Sequence, residues 1–118
     1  MNIKLMSPAI SVDDLSKIVS NKRVVVVHCW AEWNPNDYVL AEWLSSIQSK
    51  FAKRLTILSL NTSHESAWAF CREYQIVNLP ALICFVGGTW YETMIGLRPE
   101  MELIAQFQEW SEIKTTHK

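Results

Sequence analysis

Residues 23–31, RVVVVHCWA, constrain the fold more than any other stretch. Side chains of a strand alternate between its two faces, so four consecutive valines leave neither face wet. The run needs apolar cover on both sides, as an inner strand has between helical layers. A chain of 118 residues suits one domain with one modest core. A hydrophobic share of 49% beside 19% charged residues is a globular composition rather than a disordered one.

The remaining elements follow from periodicity and turn chemistry. Ser11 and Asp14 stand at capping-box spacing and open a helix to about Asn21, with Val12, Leu15, Ile18 and Val19 inward. From Pro35 to about Phe51, Val39, Leu40, Trp43, Leu44, Ile47 and Phe51 recur at helical spacing. RLTILSL (54–60) reads as the next strand. Thr62 and Glu65 repeat the capping-box spacing before a helix to about Tyr74. PALICFV (80–86) is a third strand, Gly87-Gly88 a hairpin turn, and TWYETMI (89–95) the antiparallel return. Pro99 suits the first turn of a last helix ending near Trp110. A β-α-β unit makes a parallel pair with a right-handed crossover, and the hairpin adds antiparallel strands. The expected architecture is therefore α/β, a central mixed sheet flanked by helices on both faces. One domain is expected over residues 1–112, with 113–118 a polar tail or the start of a linker.

Several functions are disfavoured at this level. The formal net charge is −1 and basic residues cluster in no more than twos and threes, so neither nucleic acid nor an anionic membrane is an expected partner. No apolar run reaches the length of a bilayer span, and the N-terminus lacks the pattern of a signal peptide. Cys29, Cys71 and Cys84 are too few and too scattered for a disulfide framework, which points to a reducing, intracellular and cytoplasmic setting. His64 and His117 lack partners at ligand spacing, so neither a metal nor another cofactor is expected.

The words of the chain resemble the thioredoxin family. Trp30-Ala31-Glu32-Trp33 matches the first half of that family's W-A-x-W-C-G-P-C segment, which follows a buried strand and precedes a long helix. QIVNLPALICF (75–85) resembles the segment around the family's cis-proline, which falls on Pro80. Gly87-Gly88 matches the hairpin turn and Gly96 the glycine after the last strand, so the resemblance covers residues 10–112. It implies the thioredoxin fold.

The departure lies at the chemistry. Thioredoxins attack a substrate disulfide with a thiolate at a helix N-terminus and resolve the mixed disulfide with a second thiol. Here the segment continues Asn34-Pro35-Asn36-Asp37, and neither an amide nor a carboxylate can exchange with a disulfide. Three of the four instead suit a helix start. Asn is a preferred N-cap, Pro is preferred at the first position, and an acid in the first turn complements the helix dipole and can reach back to the cap. His28 matches the place where thioredoxins bury an acid beneath the active site; with no thiol to serve, it reads as a hydrogen-bonded core histidine. The stretch VVHCWA is also similar to the thioredoxin domain of multidomain monothiol glutaredoxins.

The resemblance implies one surviving surface. Positions matching Trp33, Leu79, Pro80, Gly96 and Leu97 rim the groove where thioredoxins receive an extended partner segment. The expectation is a non-catalytic, protein-binding, assembly or docking module that takes a protein partner in that groove. The alternatives are a redox protein using a displaced thiol, Cys71, and a docking domain of a monothiol glutaredoxin with a role in iron–sulfur handling. Cys29 and Cys84 fall in strands, where a thiol is usually a small buried hydrophobe.

Overall fold

The four-valine run does what its pattern demands in the computed structural model, which describes residues 6–20 and 23–113. The expected helix end at Asn21, the inward placing of the Ile18 and Val19 side chains, and the tail with His117 lie outside the described residues. Val24–Trp30 forms strand β1, buried at every residue. It pairs in parallel with β2 (Thr56–Asn61) and antiparallel with β3 (Ala81–Val86). β4 (Thr89–Ile95) returns beside β3, giving the mixed order β2-β1-β3-β4. Gly87 and Gly88 both have positive φ, 59° and 83°, which the tight hairpin turn between these strands requires.

Helices cover both faces. Val24 and Val26 pack with Leu40, Leu44 and Ile47 of α2 (Pro35–Phe51) and with Leu103, Phe107 and Trp110 of α4 (Glu100–Ser111). Val25, Val27 and Cys29 face the other way, toward Leu15 of α1 (Val12–Ser20) and Phe70 of α3 (Trp68–Glu73). The strand's period of two therefore sends His28 to the α2 side.

Local expectations fail where a tertiary partner outcompetes a local one. Thr62 caps no helix, because its hydroxyl and its backbone N–H both donate to the carbonyl of Trp30, at 3.0 and 2.7 Å. A short 3-10 turn, Glu65–Ala67, intervenes before α3, led by His64 without a side-chain cap. Pro99 stands at the N-cap of α4 rather than inside its first turn. Ser11 does cap α1, accepting from Asp14 N–H at 3.2 Å, while the Asp14 carboxylate accepts from the Ser11 hydroxyl at 2.9 Å. Val39, which shares the helical spacing of the apolar residues of α2, is exposed, as are Trp68 and Trp90.

Phe107 is fully buried between Phe51 and Trp110, whereas Met101 on the same helix is exposed. Phe107→Ala should cost about 3–5 kcal/mol in urea unfolding, and Met101→Ala should stay within about 0.5 kcal/mol of the parent.

Candidate functional site

The corner between β1 and α2 is built around Asp37. Its sequence position suggests a first-turn acid serving the helix cap, but its spacing with Leu40, Ala41 and Leu44 places it on the buried face of the helix. The carboxylate is fully buried. One oxygen lies 2.9 Å from His28 Nε2 and the other accepts from Ala31 N–H at 3.1 Å. The expected reach of Asp37 back to the cap residue is therefore corrected. The Asn34 N–H donates to Ala31 C=O instead, and the carboxylate is consumed by a strand partner. Two residues that look unrelated in sequence, nine positions apart, form a single buried pair. The signal was a lone histidine in an apolar strand and a lone acid on an apolar helix face.

Asn34 behaves as its type suggests. It is buried, extended at φ −101° and ψ 106°, and its side chain accepts from Asn36 N–H at 3.3 Å. Such a cap contributes roughly 0.5–2 kcal/mol, and Pro35 follows at the first helical position. Pro35 and Asn36 are exposed.

The loop before the cap is tied on every side. Glu32 N–H donates to Ser63 Oγ at 3.3 Å, and Tyr38 donates its hydroxyl proton to Glu32 C=O at 3.2 Å. Trp30 stacks edge-on against Tyr38 at 6.1 Å. Within this pinned frame the Trp33 side chain is 73% exposed.

Trp33 overlooks a cavity of about 230 Å³ that Thr62, Cys71, Ile76, Val77, Asn78 and Leu79 complete. The structure thus brings Trp33, Leu79 and Cys71 together. The Leu79–Pro80 peptide bond is cis, and Pro80 C=O accepts from Gly96 N–H at 2.8 Å, with Gly96 at φ 96°. Leu97 is not part of the cavity lining; it packs against the α2–α4 core. Asn78 was not singled out by its sequence. Its Oδ1 accepts from Leu79 N–H at 2.9 Å, so a backbone donor at the groove is already engaged.

The three thiols differ in setting. Burial pushes the Cys29 thiol well above its ordinary value, with Cys71 and Asp37 adding to the effect. Burial, with Glu92 beside it, pushes Cys84 up to about 12. Cys71 is half-buried; burial raises it too, and Arg72 opposes the rise.

A mixed sheet between two helical layers, a corner opening α2 and a cis-proline loop facing it define a thioredoxin-fold domain. A family model described as Thioredoxin matches residues 8–109, and the chain belongs to the thioredoxin family. It is similar to thioredoxin from Griffithsia pacifica, 24% identical over 93 residues that cover 79% of this chain and 84% of the relative. It is also similar to thioredoxin from Mycobacterium tuberculosis, 29% identical over 108 residues, covering 87% and 90%. Among solved structures, oxidised thioredoxin from Plasmodium falciparum superposes with a TM-score of 0.77 at 15% identity, covering 89% of this chain and 98% of that one. An N21Q mutant thioredoxin from Halobacterium salinarum gives 0.76 at 18%, covering 92% and 95%.

The thiol settings predict an order of alkylation. At pH 8, iodoacetamide should label native Cys71 first, since a pKa of 12 in place of 9 leaves Cys84 with about 10³-fold less thiolate. Peptide mass spectrometry reads the order. All three should react alike in urea, and native labelling of Cys84 as fast as Cys71 would contradict the burial described above.

Proposed function

We propose that this chain is a protein-binding or docking module of the thioredoxin fold that performs no thiol–disulfide exchange at residues 34–37. One observation carries the reading. The Asp37 carboxylate is spent on His28 and Ala31 and the Asn34 amide on the cap, His28 Nδ1 and Trp30 Nε1 are buried without a hydrogen-bond partner among the described residues, and Trp33 beside them is left open over a cavity. An exposed tryptophan next to Val77, which is 85% exposed, has the makings of a contact hot spot. The partner chemistry is an extended segment with an apolar side chain for the cavity. Because Asn78 already takes the Leu79 N–H, such a segment pairs through the Leu79 carbonyl or displaces that amide.

A second reading has one observation in its favour. Cys71 lines the same cavity as Trp33 and Leu79, where a displaced thiol could meet a bound disulfide. Against it, burial raises the thiol rather than activating it.

An insulin reduction assay with dithiothreitol separates the two. The docking reading predicts a rate equal to the background without protein. Turnover that disappears in Cys71→Ser would establish the second reading. In an affinity capture from cell extract, Trp33→Ala should lose the proteins that the parent chain retains. Retention of every one would remove the groove from the function.

A further inference from the structure

A second cavity, of about 670 Å³, lies where the end of α2 meets α4. It is independent of the docking reading, because Asn34 and Trp33 sit at the other end of α2, roughly 24 Å away along the helix. Its lining includes the apolar Ile104, the polar Ser49 and Gln108, and three cations, Lys50, Lys53 and Arg54. The side chains of these three make no hydrogen bond or ion pair among the described residues. No Asp or Glu occurs anywhere from Trp43 to His64, so α2 and the strand after it supply no local counter-charge. Glu112, the residue just past α4, accepts from the Gln108 side-chain amide.

The ordinary explanation for cations at a helix C-terminus is the dipole. That end carries the equivalent of about half a negative charge and the Glu112 carboxylate beside Gln108 adds one, which leaves a surplus of about 1.5 positive charges. Lys50 stands in the last turn of α2, and Lys53 and Arg54 follow its C-cap in a tight turn where Arg54 N–H donates to Phe51 C=O at 2.8 Å. The three charges therefore fall within five consecutive residues at one helix end. Charge gathered so tightly matches a compact polyanion rather than an acidic polypeptide, whose carboxylates are strung along an extended chain. The guanidinium of Arg54 adds a planar fork suited to two phosphate oxygens at once.

We propose that this cavity is a binding site for a small polyanion carrying two or three linked phosphate groups. Inorganic tripolyphosphate is the probe, titrated into the full chain at low salt and followed by backbone amide NMR. Saturable shifts should be confined to residues 49–54, 104 and 108. Each cation removed should weaken binding roughly tenfold, so Lys53→Gln with Arg54→Gln loses about a hundredfold. Both substitutions are on exposed side chains, and an unchanged spectrum elsewhere confirms the fold. Absence of saturable shifts, equal affinity in the double variant, or tighter binding of a hexaglutamate peptide at equal salt would each overturn the proposal.

Discussion

The corner depends on the fully buried contact between His28 and Asp37. A carboxylate on the inner face of α2 is tolerable only when paired, since an ion removed from water without partners costs several kcal/mol. Here the imidazole takes one oxygen and the Ala31 N–H takes the other. The bond crosses from the middle of the sheet to the first turn of the helix, so it sets where α2 begins relative to β1. The cap at Asn34, the tie from Thr62 to Trp30 and the tie from Ser63 to Glu32 then close the loop between them. Trp33 projects from that loop between the buried Ala31 and the buried Asn34.

Much of this was legible in the sequence, and the boundary follows physics. β1 was readable because alternation alone decides how four valines must be covered, and the amphipathic period of α2 was readable for the same reason. The Asn34 cap was readable because a cap is satisfied within two residues of itself. Asp37 was misread because first-turn acids usually answer a local rule, whereas this one answers a strand nine residues earlier. Thr62 was misread in the same way, its hydroxyl going to the neighbouring strand instead of a helix. The cavity that joins Trp33, Cys71 and Leu79 draws on three separate segments, and no local pattern encodes their meeting.

Thioredoxins perform exchange with two thiols at the start of this helix, and this family member presents Asn-Pro-Asn-Asp there. The substitutions are mutually consistent rather than scattered. A cap residue, a preferred first-turn proline and an acid matched to a buried histidine together satisfy the start of α2 and the Asp37 carboxylate. The apolar surface around Trp33 lies at one end of α2 and the unpaired cations at the other, so one helix separates two surfaces of opposite chemistry.

The central claim is that His28 and Asp37 act as one unit. A double-mutant cycle of His28→Ala, Asp37→Ala and the pair, followed by urea unfolding, tests it most directly. The account predicts that His28→Ala alone costs about 3–5 kcal/mol by stranding the carboxylate, and that the two effects couple by at least about 1.5 kcal/mol. Effects that add to within about 0.5 kcal/mol would contradict it.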